Sequence, residues 1–353
     1  MLETRVHDAA TLASWEGRVR AARRELRWPD APERAVAHET GASLALAAPV
    51  DQLFTATEVN EWALAAAVAE REPAAAPALV AALAAEQPEE TDPPALDTPG
   101  ALLRLRRRAA REANPRLRAL IGAAQSRGLP HFLDDEALTL GAGAGGHSWP
   151  LPELPDPAAV DWRALRAIPT ALVTGTNGKT TVVRLLAACA NASGLVTGYC
   201  CTDGVFVAGR ALGTGDYSGP AGARRVLRDA HAEAAILETA RGGILRRGLA
   251  VARADVAVIT SLAADHFGEY GVHDLDALAE VKLAVARALD AGGLLVVNGD
   301  DALLARRAPQ AGKPLGWFAQ DADSPLLASH RRAGGATAGV SGGHLVLFRA
   351  GRE

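Results

Sequence analysis

The sequence predicts an α/β protein, with a mostly parallel sheet in residues 166–353 preceded by a smaller, mainly helical (α or α+β) region over 1–165. Three observations carry that prediction. From residue 168 onward, short apolar runs (PTALVT, AAILE, ADVAVIT, GLLVVN) alternate with helical segments, the pattern of βαβ units. The first run passes through TGTNGKTT into the helical stretch TTVVRLLAACANASG, giving strand, glycine turn and helix in succession. Upstream, the chain is rich in Ala, Arg and Pro, and GAGAGGHSWPLPELPDP (141–157) marks the boundary between the two compositions.

In the first region the apolar spacing predicts helices over 12–27, 56–71, 76–86 and 100–125. Thr55-x-x-Glu58 reads as a capping box opening the second of them. EQPEETDPPALDTPG (86–100) is a polar, Pro-rich connection, and LPHFLDDEALTLG (129–141) reads as a hairpin turning at Asp134-Asp135. Arg104, Arg107, Arg108 and Arg111 share one side at helical spacing and read as a solvated face, in preference to a site for an anionic substrate or polymer.

Composition narrows the function classes. A net charge of −4 gives no general field toward nucleic acid or anionic membranes. No apolar run reaches spanning length, and the first residues lack the apolar core of a signal peptide. Cys189, Cys200 and Cys201 form neither a metal-ligand spacing nor an even disulfide set, so a reduced, cytoplasmic protein is expected. Only three of the 37 basic residues are lysines: Lys179, Lys282 and Lys313. Where arginine serves almost everywhere, a lysine marks a place that needs a compact ammonium or an amine able to lose its proton. Lys313, in the loop QAGKPLG, reads as a chance survivor.

The four apolar runs end on polar residues, and ligands in open α/β sheets bind outside such carboxyl ends. Gly175, Thr176, Asn177, Gly178, Lys179, Thr180 and Thr181 form a turn whose backbone N–H groups and helix start suit an anion. Only two residues separate Gly175 from Gly178-Lys179, which departs from the common phosphate loop. Thr180 offers a hydroxyl and Glu238 a carboxylate for Mg²⁺. Asp265-His266 follows the third run and Asn298 closes the fourth. On the predicted helix 274–290, Lys282 sits in the apolar seam of Leu275, Leu278, Val285 and Leu289. It is either a buried amine of lowered pKa able to form a carbamate with CO₂, or a lysine snorkelling past its neighbours.

This set resembles the Mur ligases: TGTNGKTT, a strand-end Glu, Asp-His, a Lys 16 residues later, then Asn-Gly-Asp-Asp. LETARGGILRRGL and TGDYSGP (214–220) are similar to the branch that includes the cyanophycin synthetases. The resemblance covers about 168–350. It implies that residues 175–181 hold ATP phosphates, that Thr180 and Glu238 hold one Mg²⁺, that His266 and a carbamylated Lys282 serve a second, and that Asn298 contacts adenine. The implied reaction is ATP-dependent amide bond formation between a carboxylate-bearing peptide or amino-acid substrate and an amine, through an acyl phosphate. Arg241, Arg246 and Arg247 read either as receivers of a substrate carboxylate in bidentate fashion or as structural ion-pair partners.

After Asn298 the sequence predicts a strand at LGWFA (315–319) and a hairpin over 337–351. The C-terminal domain of Mur ligases is therefore expected to be missing: either the sequence is a truncated product, or a homo-oligomer or partner chain completes the site. Two rival readings follow: a non-catalytic or partner-dependent ATP-binding protein, and an NTPase or phosphotransferase with an atypical phosphate loop.

Overall fold

The structure is a computed structural model that describes residues 2–38, 40–85, 94–264, 267–268 and 271–349. Compactness divides the chain between Ala119 and Leu120, so the division falls upstream of 165/166.

The first unit contains β1 (Leu2–Thr4), α1 (Ala9–Glu25), β2 (Arg34–His38), β3 (Gly41–Ala45), α2 (Leu53–Arg71), α3 (Ala76–Ala85) and α4 (Thr98–Glu112); α5 (Pro115–Ser126) contains the division. Its antiparallel sheet runs in the order β1-β3-β2. Trp15, Val19, Leu44, Val59, Trp62 and Leu105 form its core. Asp8 caps α1 by accepting from Thr11 N.

Three expectations need correction here. The capping box does not form: Gln52 precedes α2, and Thr55 donates from both N and Oγ1 to the Glu112 carboxylate, at 2.8 and 2.7 Å. The helix expected over 100–125 is two helices, because Pro115 has no N–H to continue the first. The arginine face is not solvated throughout. Arg108 Nε lies 2.9 Å from Glu58 Oε1 and Arg104 Nη2 lies 3.7 Å from Oε2, around a carboxylate buried on α2.

The second unit begins with a small antiparallel sheet of β4 (His131–Leu133), β5 (Ala137–Leu140) and β6 (His147–Pro150). The hairpin turn forms at Asp134, whose Oδ1 accepts from Glu136 N and Ala137 N. This sheet is tied into the same unit, since Ala144 N donates to Ala232 O and Ala142 N to Arg166 O.

The main sheet is ten-stranded: β7 (Thr170–Thr174), β8 (Thr197–Cys201), β9 (Gly204–Val207), β10 (Arg210–Thr214), β11 (Ala234–Glu238), β12 (Ala254–Ile259), β13 (Leu289–Asn298), β14 (Leu315–Asp321), β15 (Ala336–Ser341) and β16 (His344–Phe348). Their order is β10-β9-β8-β11-β7-β12-β13-β14-β15-β16. Pairing is parallel from β8 through β15 and antiparallel at both margins. The hairpin at the far margin turns on Gly342-Gly343, both at positive φ, as a two-residue turn requires. The intervening helices are α6 (Lys179–Ala192), α7 (Pro220–Arg228), α8 (Arg241–Arg247), α9 (Leu275–Leu283), α10 (Ala302–Arg307) and α11 (Pro325–Arg332).

The central strands read as continuous apolar runs because both faces are covered. Val173, Ile236 and Val258 pack with Val183 and Ala187 of α6 on one face. Leu172, Leu237, Ala257, Ile259 and Leu295 join the core on the other. The helix expected over 274–290 ends at Leu283, tightens into a 3₁₀ turn through Ala288 and enters β13 at Leu289. No helix among the described residues is long and apolar enough to cross a membrane.

Candidate functional site

The chain leaves β7 for α6 and β8 on one side, then returns past β11 to β12 on the other. This reversal opens a crevice beyond the carboxyl ends of β11, β7 and β12. Residues 175–181 occupy it. Gly175 has φ +145°, and a Cβ there would lie 1.8 Å from Thr260 Oγ1, so only glycine lets the loop lie against the end of β12. Gly178, at φ +81°, turns the chain into α6 and leaves the helix's first-turn N–H groups facing outward.

The loop is pinned from β12 rather than by itself. Thr260 Oγ1 donates to Asn177 O at 2.6 Å, Asn177 N to Ser261 Oγ at 3.1 Å, and Thr176 N to Ser261 O at 2.9 Å. Lys179 Nζ donates to Thr176 O at 3.0 Å, folding the ammonium over the turn. Thr181 is exposed on the first turn of α6.

Glu238 ends β11 beside this loop and is 1% exposed. Its Oε2 accepts from Thr180 Oγ1 at 2.8 Å, and Thr180 Oγ1 lies 3.0 Å from Thr202 Oγ1. Its Oε1 is buried without a hydrogen-bond partner among the described residues. Burial pushes the Glu238 carboxyl above its ordinary range, against the opposing pull of the Thr180 hydroxyl and the Lys179 charge. A buried carboxylate oxygen with no donor, next to a threonine hydroxyl, offers two oxygens of the kind that a hard cation such as Mg²⁺ takes as ligands.

Asn298 stands at the end of β13 with its amide engaged. Nδ2 donates to Thr260 O at 3.0 Å, and Oδ1 accepts from Asp300 N at 2.9 Å. It thereby braces the β12 end that holds the loop. Asp301 caps α10 and also accepts from Leu262 N at 2.8 Å. Lys282 is 3% exposed in the buried seam of α9 with Leu278 and Ala279. His266 and Asp265 lie outside the described residues.

A cleft of about 300 Å³ opens near the same strand ends. The loop Asp216–Gly219 and α8 line it, with Arg246 and Arg247 on its wall; Arg241 starts α8 but is not among the lining residues. Gly219 and Gly243 let the two segments meet, and Ala240 N donates to Ser218 O at 2.8 Å. Asp216 is near enough to raise the Glu238 carboxyl further.

Sequence reasoning placed Ser261 among the polar strand ends but missed Thr202, Thr260 and Asp216 as site residues. Each follows or lies near a strand end, which was the available signal. Thr202 comes directly after TGYCC, and Thr260-Ser261 directly after ADVAVI.

The Mur ligase middle domain family matches residues 173–331. This segment is therefore similar to the Mur ligase middle domain. Over 181 residues the chain is 41% identical to a cyanophycin synthetase of Geminocystis herdmanii, covering 51% of this chain and 21% of that one. Over 135 residues it is 37% identical to a UDP-N-acetylmuramoyl-L-alanyl-D-glutamate–2,6-diaminopimelate ligase of Xanthomonas campestris, covering 37% and 26%. A solved ligase of that same description aligns with a TM-score of 0.34 and 22% identity, over 44% of this chain and 33% of that one. The chain thus spans about a fifth of the length of the cyanophycin synthetases it matches.

Proposed function

We propose that the chain belongs to an ATP-dependent ligase that activates a carboxylate as an acyl phosphate and passes the acyl group to an amine. The observation that carries this reading is the joining of loop 175–181 to Glu238 through the Thr180 hydroxyl, with Glu238 Oε1 left buried and unsatisfied. The 41% identity to a cyanophycin synthetase over this half of the chain supports it independently.

In this reading, the α6 start and Lys179 hold the phosphates of ATP, with Asn298 near the base. Thr180 and Glu238 hold Mg²⁺, and His266 with a carbamylated Lys282 serve a second ion. Mg²⁺ neutralises charge developing on the transferred phosphoryl group. The substrate carboxylate lies in the cleft beside Arg246 and Arg247, which orient it. Its oxygen attacks the γ-phosphorus, the bond to the bridging oxygen breaks, and ADP leaves. An amine nitrogen then attacks the acyl carbon, inorganic phosphate departs, and the amine loses a proton to solvent.

The test is ADP release assayed across carboxylate-bearing peptides, with and without each amino acid. The ligase reading expects ADP, phosphate and amide in equal amounts, dependent on both substrates. A phosphorylated product without amide would instead identify a phosphotransferase. ATP binding without turnover under every combination would identify a nucleotide-binding protein.

A further inference from the structure

A second cleft, of about 510 Å³, lies at the opposite edge of the main sheet from the phosphate loop. Its position follows from topology. Arg287 precedes the start of β13 and Lys313 precedes the start of β14, whereas loop 175–181 follows the end of β7. Glu280, Leu283 and Arg287 form one wall, Arg307 and Gln310 the other, and Lys313 closes it.

Three cations thus face one carboxylate across a cavity in the size range of small-molecule sites. The fold engages two of these cations only in part and the third not at all among the described residues. Arg287 is exposed and makes no hydrogen bond or ion pair among the described residues. Arg307 Nε lies 3.5 Å from Asp276 Oδ1 and its Nη2 donates to Asp276 O at 3.4 Å, while Nε itself is buried without a hydrogen-bond partner among the described residues. Lys313 Nζ donates to Leu289 O, which fixes its head group at the cleft and leaves two further protons. Lys313 is also one of only three lysines in an arginine-rich chain. Leu283, Ala284 and Ala311 supply an apolar floor. Like charges gathered around a cavity repel one another, and a bound anion relieves that repulsion.

We propose that this cleft is a binding site for a small dianionic oxyanion, a phosphate group or a short dicarboxylate. Two guanidinium forks and a point ammonium suit paired oxygens of either source. The proposal does not depend on the nucleotide reading.

The test is a titration at constant ionic strength, followed by backbone amide resonances. The probes are inorganic phosphate, glutarate and, as a monoanion control, acetate. The proteins are wild type, Arg287→Gln, Arg287→Gln/Lys313→Gln and Lys179→Ala. The expected result is a saturable shift of amides in 280–287 and 307–313 with phosphate or glutarate, and a far weaker one with acetate. Phosphate acting alone identifies a phosphoryl ligand, and glutarate acting alone a dicarboxylate. Arg287→Gln, at an exposed position, should weaken binding by at least about tenfold, the loss of one charge-assisted contact. Lys179→Ala should leave it unchanged. Absence of saturable shifts in those segments, equal affinity in Arg287→Gln, or loss in Lys179→Ala instead would each overturn the proposal.

Discussion

The two units treat buried carboxylates differently. In the first, each has a guanidinium close by: Glu33 lies 3.2 Å from Arg23, Glu58 lies 2.9 Å from Arg108, and Asp51 lies 3.9 Å from Arg118. Burial alone would push Glu33 up, but its backbone hydrogen bond, Arg20 and Arg23 hold its carboxyl below the ordinary range. In the second unit Glu238 is as deeply buried, yet it has hydroxyls for neighbours and forms no ion pair among the described residues. Its carboxyl is raised. A paired buried charge serves the fold, whereas a buried carboxylate with no ion-pair partner is poised for something that arrives. The family match, at 173–331, falls wholly in the unit that holds Glu238; the missing hydrogen bond alone does not set Glu238 apart, since Asp51 Oδ1 in the first unit is also buried without one among the described residues.

Mutations in the two units should therefore separate function from stability. Lys179→Ala should reduce ATP turnover by about a thousandfold, since it removes the charge placed over the phosphates. Steady-state ADP release measures this, and the melting temperature should move little. Lys282→Ala and Lys282→Arg should both reduce turnover by at least about a hundredfold, because neither can form a carbamate. A short-chain acid should partly restore Lys282→Ala. Full activity in Lys282→Arg would eliminate the carbamate.

Arg23→Met tests the other side of the comparison. Leaving Glu33 without its inner partner should lower unfolding stability by about 3 kcal/mol in urea, with nucleotide affinity unchanged. The smallest effect concerns pH. Because the Glu238 carboxyl is raised in the folded chain, the native state keeps its proton longer than the unfolded state does. Stability of the metal-free protein should fall as pH rises from 4.5 through the raised value, then level off. Glu238→Gln should remove that slope and raise the melting temperature above pH 5, while abolishing the Mg²⁺ response. A lower melting temperature would mean that Glu238 is a structural carboxylate like Glu33.

Much of the sheet was legible because its central strands are buried on both faces and so read as unbroken apolar runs. The turn at 175–181 was legible because glycines at 175 and 178 meet backbone demands that other residues cannot. Less visible was what depends on distant pairing. Thr55 looked like a cap, but its donors go to Glu112, 57 residues away. Arg104 and Arg108 looked solvated because helical spacing cannot reveal Glu58 opposite them. Composition put the main boundary at 165/166, but the small sheet that precedes this point hydrogen-bonds to Ala232, so compactness places the division earlier. Among site residues, Thr202 and Thr260 act through neighbours rather than through any motif of their own. Asn298 reads from the sequence as a ligand contact, whereas in the structure its amide braces Thr260.

The central claim is that loop 175–181 and Glu238 form one Mg²⁺-dependent nucleotide site. Calorimetric titration with a non-hydrolysable ATP analogue, with and without Mg²⁺, tests it most directly. Wild type should bind more tightly with Mg²⁺ by about tenfold or more, and Glu238→Gln should bind equally with and without it. The account would be contradicted by an undiminished Mg²⁺ effect in Glu238→Gln, or by binding that survives Lys179→Ala unchanged.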